Sequence, residues 1–262
     1  MSKEAPIGIF DSGVGGTSIW KEIHELMPAE STRYLADSRN APYGEKTPQE
    51  ILALSIKNTE KLLEMDAKII VVACNTATTN AISELRSRYT VPFIGIEPAI
   101  KPAALNSKTH CIGILATKGT LSSALFAQTA DLYSRSSQVI EVVGTGLVEA
   151  IERGNADSPE TEEILTELLR PMLDSGIDHL VLGCSHYPFL IPVLKKVLPV
   201  HVRIIDSGMA VARQTRVVLQ SLDLLNPGPS DDPEFFSNGD PEILRGIIPG
   251  PGERIRVSFL DF

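Results

Sequence analysis

Two cysteines, Cys74 and Cys184, are the residues of this chain whose type and surroundings are best suited to chemistry. Each ends a run of β-branched residues and leucines, IIVVAC at 69–74 and LVLGC at 180–184, and each is followed by polar side chains. Apolar runs without polar alternation are typical of parallel strands buried on both faces. Because open α/β sheets bind ligands at the carboxyl ends of their strands, both thiols are predicted to lie at a site.

Thiols in this position are suited to proton transfer. A helix N-terminus carries about half a positive charge, so a thiol there is expected to have its pKa lowered from roughly 8.5 toward neutrality. A group with a pKa near the working pH can both remove and deliver a proton. Cys74 and Cys184 are therefore interpreted as a two-base pair, in which one thiolate takes a proton from a carbon and the other thiol protonates the opposite face. Cys111 begins its own strand and is interpreted as a small buried hydrophobic residue.

Polar residues also follow the first predicted strand, IGIF at 7–10. The next residues, DSGVGG at 11–16, lack the third glycine of a dinucleotide-binding turn and the lysine of a phosphate-binding loop. Asp11 and Ser12 are instead predicted to share the sheet edge of Cys74. There Asp11 is suited to orienting an ammonium group or tuning the thiol, and Ser12 to binding a carboxylate.

Two other features carry weaker signals. The tripeptide Pro42-Tyr43-Gly44, taken by itself, indicates only a turn. His186 follows Cys184 by two residues, and this placement favours a role in the site over a role in the core.

The elements that must position these residues alternate between strand and helix, which predicts an α/β fold. Matching positions recur roughly 105–110 residues apart, as Ile7 does with Ile112 and Cys74 with Cys184, which indicates an internal repeat of a whole domain. We therefore expect two similar doubly wound parallel-sheet domains, related by this pseudo-repeat, with the active site in the cleft between them.

The domain limits follow from the same pattern. Residues 1–99, with about 208–262, are expected to form the first α/β domain, and residues 100–207 the second. The stretch after Leu225 is rich in Pro, Gly and Asp. It is expected to return one or two edge strands, EFFSNG and RIRVSFL, to the first domain.

Composition limits the classes of function. The chain has 262 residues and a net charge of −9, with no basic footprint for nucleic acid or an anionic membrane. Its apolar runs fall short of the roughly 20 residues of a membrane span, and no leader precedes the first strand, so the cytoplasm is the expected location. Three cysteines do not make a disulfide framework. Without a CxxC pair, and with Cys184 and His186 too close for zinc spacing, no metal site is predicted.

The motifs together resemble the glutamate racemase family. They are, in order, DSGVGG at 11–16, YLADSRNAPYG at 34–44, ACNTAT at 73–78, GCSHYP at 183–188 and FFSNGD at 235–240. The resemblance covers nearly the whole chain. It implies two α/β domains with the site between them, and a cofactor-independent bacterial isomerase that interconverts L- and D-glutamate. It also implies a homodimer that supplies D-glutamate for peptidoglycan biosynthesis in the cell wall.

The resemblance also assigns roles to residues. It makes Cys74 the base for D-glutamate and Cys184 the base for L-glutamate. The family's substrate-binding positions correspond to Asp11, Ser12, Pro42, Tyr43, Gly44, Asn75, Thr76, Ser185 and His186. The polar groups that assist the thiols in the family correspond to Asp11, Asp37, Glu152 and His186. Two departures are visible: Ser185 stands where threonine is usual but keeps the hydroxyl, and the segment before Glu152 lacks the proline that is common there.

The chemistry of the motifs agrees with an amino dicarboxylate substrate. Hydroxyls and backbone N–H groups at helix starts can hold two carboxylates, and these motifs contain no lysine for a pyridoxal Schiff base. Three alternatives stay open at this stage. One is a racemase of the same superfamily acting on aspartate or another α-substituted acid. The others are an ATP-binding fold, suggested by IGIFDSGVGG, and an amino-acid-binding protein without catalysis.

Overall fold

The computed structural model describes residues 2–134, 137–229, 231–248 and 255–262. Met1, in the predicted first domain, and Arg254, which begins the predicted strand RIRVSFL, lie outside these ranges. The strands are β1 Ile7–Asp11, β2 Thr32–Ala36, β3 Ile69–Val72, β4 Phe93–Gly95, β5 Cys111–Ala116, β6 Gln138–Val143, β7 His179–Gly183, β8 Arg203–Ile205, β9 Glu234–Ser237 and β10 Arg256–Phe259.

Helices follow nearly every strand. The α-helices are α1 Thr17–Leu26, α2 Pro48–Glu64, α3 Asn75–Arg88, α4 Ile100–Asn106, α5 Lys118–Leu121, α6 Ala124–Ser134, α7 Leu147–Glu152, α8 Pro159–Asp174, α9 Ile191–Val197, α10 Gly208–Ser221 and α11 Pro241–Ile247. Short 3-10 helices span Ser38–Asn40, Tyr43–Glu45 and Tyr187–Leu190. No helix in the described ranges has both the length and the apolar character needed to cross a bilayer.

The strands form two sheets in which every pair is parallel. The first has the order β10-β9-β2-β1-β3-β4 and the second the order β6-β5-β7-β8. The run β2-β1-β3-β4 thus repeats as β6-β5-β7-β8, which confirms the predicted fold of two similar doubly wound sheets. The predicted edge strands β9 and β10 join the first sheet beside β2. The domain limits drawn from the sequence remain a proposal.

Alternation along each buried strand distributes the core over both faces of each sheet. On β1, Ile7 and Ile9 pack in one apolar cluster with Ile23 of α1, whereas Phe10 packs in another with Leu62 of α2. The first cluster continues into the second sheet and its helices α8 and α9. The two halves therefore share a continuous core, which holds the carboxyl edges of the two sheets in a defined relation.

Helix α2 begins where the sequence places a helix start. Thr47 Oγ1 accepts the N–H of Glu50 at 3.3 Å, and Glu50 Oε2 accepts the N–H of Thr47 at 2.8 Å, while Pro48 occupies the first turn. This capping box satisfies donors that the helix itself cannot pair. It fixes the start of a 17-residue helix that carries Lys57 and Asn58 toward the site.

A buried ion pair joins the amino-terminal ends of the first sheet to the later chain. Lys68 Nζ lies 2.6 Å from Glu30 Oε2, and their side chains are 0% and 2% exposed. Glu30 Oε1 also accepts the backbone N–H of Asn226 at 2.9 Å, and Lys68 donates to the carbonyl of Lys3. Both charges are thus hydrogen-bonded as well as paired, which buried charges require.

Replacing Lys68 tests this pair. Lys68→Met is expected to lower the free energy of unfolding by about 3–5 kcal/mol, because Glu30 is left buried without its cation. Denaturant titration measures the change. Lys61→Met is the matched control, since Lys61 pairs at the surface with Glu64, and its loss is expected to stay below about 1 kcal/mol. Equal losses at Lys61 and Lys68 would contradict this account.

Candidate active site

Cys74 lies where β3 gives way to α3, at the N-cap of that helix. Its Sγ accepts the N–H of Ala77 at 3.4 Å, and its S–H donates to Ser12 Oγ at 3.7 Å. Ser12 reaches the thiol because β1 and β3 are paired neighbours and both chains leave the sheet at the same edge. The thiol is 4% exposed.

The electrostatic surroundings of Cys74 differ from the sequence-based expectation. Burial raises the pKa of this thiol far above its ordinary value, and the charge of nearby Asp11 raises it further. The N–H of Ala77 at the helix start acts in the opposite direction but does not compensate. The expectation of a Cys74 pKa lowered toward neutrality is therefore wrong, because removal from water outweighs the helix.

Cys184 occupies the equivalent point after β7 and is 7% exposed. It does not cap an α-helix as Cys74 does, because a turn and the 3-10 helix Tyr187–Leu190 separate it from α9. The turn brings the imidazole of His186 back to the thiol, with 3.8 Å between Sγ and Nδ1. The repeat therefore supplies two thiols at matching positions but gives them different partners.

A glutamate holds the far side of that imidazole. His186 Nε2 lies 2.6 Å from Glu152 Oε1, which also accepts the N–H of Val14 at 2.8 Å. Burial disfavours the charged ring, but the bonds to Cys184 and Glu152 prevail and raise the pKa of His186 well above its ordinary value. His186 is therefore an imidazolium at neutral pH, with Cys184 on one side and a carboxylate on the other.

The glycines of the DSGVGG stretch make room for this chain of groups. A Cβ at Gly13 would lie 1.9 Å from Glu152 Oε1, and one at Gly15 would lie 2.2 Å from His186 Nδ1. Side chains at these positions would therefore displace the glutamate and the imidazole. The stretch acts as a close-packed wall of the thiol site.

Asp11 connects the two halves. It is fully buried, and its Oδ1 accepts the hydroxyl of Ser185 at 2.9 Å while its Oδ2 accepts the N–H of Gly13 at 3.1 Å. Burial raises the pKa of Asp11, and the charge on His186 opposes that rise. Ser185, present in place of the usual threonine, thus keeps a hydroxyl, and this hydroxyl donates to Asp11.

Asn75 and Thr76 begin α3 beside the thiol of Cys74. Both polar side-chain atoms of Asn75 are buried and have no hydrogen-bond partner among the described residues. Buried amides are normally paired, so this amide is suited to a ligand with both donors and acceptors. Thr76 Oγ1 lies 2.8 Å from Thr117 Oγ1 and 3.2 Å from Thr120 Oγ1, so a hydroxyl triangle crosses the cleft.

Thr117 and Thr120 were not assigned to the site from the sequence. The repeat contained the signal, because Thr117 follows β5 as Ser12 follows β1, and these strands hold equivalent places in the two sheets. Comparing the two halves position by position identifies Thr117, whereas Thr120 corresponds to Gly15 and leaves no such signal.

The tripeptide Pro42-Tyr43-Gly44 also reaches the cleft. A Cβ at Gly44 would lie 2.8 Å from Thr117 Cβ, so this turn abuts the second half. The Tyr43 hydroxyl donates to Asp37 Oδ2 at 2.5 Å. The bonds of Asp37 run to this tyrosine and to Asn40, Lys57 and Asn238; in the described part of the chain it bonds to neither thiol.

The structure therefore gathers most of the predicted residues at one closed cleft. Bonds between the halves include Ser18 Oγ to the Ser185 carbonyl at 2.9 Å and Asn80 Nδ2 to the Gly119 carbonyl at 3.1 Å. The pKa of Cys74 also responds to Cys184, which places the thiols within electrostatic reach of each other. Over the described residues, no group of three or more His, Cys, Asp or Glu side chains is arranged to hold a metal ion.

Comparisons with known proteins identify the family. Residues 7–215 match the family model for Asp/Glu/Hydantoin racemases. The chain is 46% identical to a glutamate racemase of Ectopseudomonas mendocina, over 94% of both chains. A glutamate racemase isoform from Bacillus anthracis superposes with a TM-score of 0.87 at 30% identity, over 99% of this chain and 98% of the other. Escherichia coli glutamate racemase, in complex with L-glutamate and the activator UDP-MurNAc-Ala, superposes with a TM-score of 0.85 at 32% identity, over 97% and 99%. The chain therefore belongs to the Asp/Glu/hydantoin racemase family and is an isomerase.

Proposed function

We propose that this protein interconverts L- and D-glutamate by a two-base mechanism in which Cys74 and Cys184 exchange the α-proton without a cofactor. The observation that carries the proposal is the pair of buried thiols at equivalent points of the two sheets, each with its own polar partners. Two opposed acid/base groups are what inversion at a carbon requires. The glutamate racemases among the relatives support the choice of substrate.

The surroundings of the two thiols favour different roles for them. The positively charged imidazole of His186 lies 3.8 Å from Cys184 Sγ, where it stabilises negative charge that develops on this sulfur during proton transfer. The raised pKa of Cys74 keeps it a neutral thiol. In the proposed reaction of L-glutamate, the Cys184 thiolate takes the α-proton while the Cys74 thiol protonates the opposite face. The products are D-glutamate, a neutral Cys184 and a Cys74 thiolate, and the reverse reaction begins from that form.

The substrate is held by groups at the same edge. The unpaired amide of Asn75 is suited to a carboxylate through Nδ2 and to an ammonium group through Oδ1. Asp11, buried and facing both thiol neighbourhoods, is suited to the ammonium group. The hydroxyls of Ser12 and Thr76 complete a set that needs no basic side chain to bind a dicarboxylate.

Water exclusion supports the difficult step. Removal of the α-proton leaves negative charge on the substrate, and hydrogen bonds to its carboxylate stabilise that charge most strongly where water is absent. The thiols, Ser185 and His186 are all buried in the closed cleft. We further propose, from the family resemblance, that the D-glutamate supplies peptidoglycan biosynthesis in the cytoplasm and that the protein acts as a homodimer.

The direct test is proton NMR of L-glutamate, and separately of D-glutamate, incubated with the protein in D2O without added cofactor. Loss of the α-proton signal is expected from both, and polarimetry of the same samples is expected to show loss of optical rotation as the other enantiomer forms. Exchange with aspartate but not with glutamate would mean that aspartate is the substrate and would leave the two-base mechanism in place. Exchange with neither would refute the proposed function.

Substitution of either thiol tests the two-base mechanism. Cys74→Ala and Cys184→Ala are each expected to lower the rate of racemisation by at least about 10²–10⁴-fold, because one face of the substrate loses its acid or base. Polarimetry measures the rate. Cys111→Ala is the matched control and is expected to retain wild-type turnover, since Cys111 lies at the opposite edge of its sheet. Wild-type turnover in either of the first two variants would exclude the mechanism.

Alkylation tests the difference between the two thiols. Iodoacetamide at neutral pH is expected to label Cys184 about tenfold faster than Cys74, because the thiolate is the nucleophile and burial raises the pKa of Cys74. Peptide mass spectrometry measures both rates in one sample. His186→Asn is expected to slow labelling of Cys184 and to leave Cys74 unchanged. Faster labelling of Cys74 would reverse the assignment.

The Glu152 carboxylate is predicted to set the alkaline limit of activity. Glu152→Gln keeps the shape but removes the charge that raises the pKa of His186, so the imidazolium is lost at lower pH. The alkaline limb of kcat/KM is expected to move down by about 1–3 pH units, equally for both enantiomers. Glu163→Gln, on an exposed part of α8, is the control. An unshifted limb in Glu152→Gln would show that this charge does not govern His186.

A further inference from the structure

The carboxylate of Asp37 accepts four hydrogen bonds from protein donors. It is buried, and its Oδ1 accepts bonds from Lys57 Nζ at 3.0 Å, Asn40 Nδ2 at 2.8 Å and Asn238 Nδ2 at 2.5 Å. Its Oδ2 accepts the Tyr43 hydroxyl at 2.5 Å. A carboxylate offers about four acceptor positions, so little of Asp37 remains for a thiol or a substrate.

The Tyr43 hydroxyl is occupied as well. It donates to Asp37 and accepts the side-chain N–H of Asn58 at 3.0 Å. The tyrosine is 1% exposed, and its ring packs in the apolar cluster beneath the first sheet. Its side chain therefore points into the protein and anchors the turn. The part of this turn that faces the second half is the backbone at Gly44, against Thr117.

The residues that bond to Asp37 and Tyr43 come from separate parts of the chain. Lys57 and Asn58 are successive residues of α2, whereas Asn238 follows β9 and also accepts the N–H of Arg39 at 3.0 Å. Lys57 additionally donates to the Phe262 carbonyl at 3.1 Å and lies 4.9 Å from the centre of the Phe262 ring. These bonds connect the Tyr43-Gly44 turn to α2, to the residue after β9 and to Phe262, which follows β10.

We propose that these residues form an anchor whose task is to hold the Tyr43-Gly44 turn against the cleft, with Lys57 and Asn58 as positioning residues that the sequence motifs do not include. The anchor consists of Asp37, Tyr43, Lys57, Asn58 and Asn238. Asp37 acts in it through Tyr43 and not as a proton carrier for either thiol. This inference rests on the proposed racemase function, because it assigns the turn to substrate binding.

The anchor depends on the positive charge of Lys57 and not only on its hydrogen bond. Hydrogen bonds between an ammonium group and a carboxylate are stronger than those between neutral groups, and Lys57 is the cation that contacts Asp37. Its side chain is 32% exposed, so it reaches the buried carboxylate from the surface. Arginine can supply the same charge from the same direction, whereas glutamine cannot.

Steady-state kinetics of Lys57→Gln, Asp37→Asn and Tyr43→Phe tests the anchor. Each variant is expected to raise KM for both enantiomers by about tenfold while kcat changes by less than about threefold, with the pH profile unmoved, since a displaced binding turn weakens binding and leaves the thiols intact. Lys57→Arg is expected to restore most of the loss. Lys61→Gln, one turn further along α2, is the matched control and is expected to match the wild type.

A double substitution separates the anchor from independent effects. The losses of Asp37→Asn and Tyr43→Phe are expected to be strongly non-additive when combined, because both remove the same bond. A fall in kcat at constant KM, or a shifted pH limb, in Asp37→Asn would overturn the inference and make Asp37 a proton carrier. Kinetics of Lys57→Gln equal to those of Lys61→Gln would also overturn it. Absence of turnover in the wild type would instead refute the racemase function.

Discussion

The bond between Glu152 and His186 is the interaction on which the rest of the site depends. One carboxylate oxygen accepts from the imidazole of the second half and from the backbone N–H of Val14 in the first half. It therefore supports the charge beside Cys184 and also joins that charge to the glycine stretch. This bond requires glycine at positions 13 and 15, because any side chain at Gly13 or Gly15 would occupy the space of the carboxylate or the ring.

Duplication supplies two thiols, but the proposed two-base reaction requires them to differ. The substrate is chiral, so each thiol meets a different face and different neighbours, even though the two strands that carry them are equivalent. Cys74 has a hydroxyl, a helix start and a nearby carboxylate, whereas Cys184 has an imidazolium. The two enantiomers have the same free energy, so this asymmetry cannot favour one product at equilibrium. It gives the two thiols different partners during the proposed proton transfers.

The sequence predicted the scaffold well because buried parallel strands leave a strong local signal. Runs such as IIVVAC and LVLGC lack polar alternation, and their recurrence revealed the duplicated sheet and both thiols. The sign of the Cys74 pKa shift was not predictable in the same way. The helix start is a local feature, but the burial and the carboxylate of Asp11 that outweigh it arise only when distant segments pack together. The same holds for Asp37, whose partners Lys57 and Asn238 lie far from it in the chain.

In the proposed mechanism, burial of the thiols also links proton transfer to the closing of the cleft. Burial is the largest cause of the raised Cys74 pKa, so any opening that admits water to this thiol lowers that pKa. Such an opening would also separate the Ser185 hydroxyl from Asp11 and the Val14 N–H from Glu152, since both bonds cross between the halves. The charges that distinguish the two thiols are therefore complete only when the cleft is closed. In the proposed mechanism, substrate entry therefore precedes the state in which one thiol is a base and the other an acid, and closure around the substrate would assemble that state.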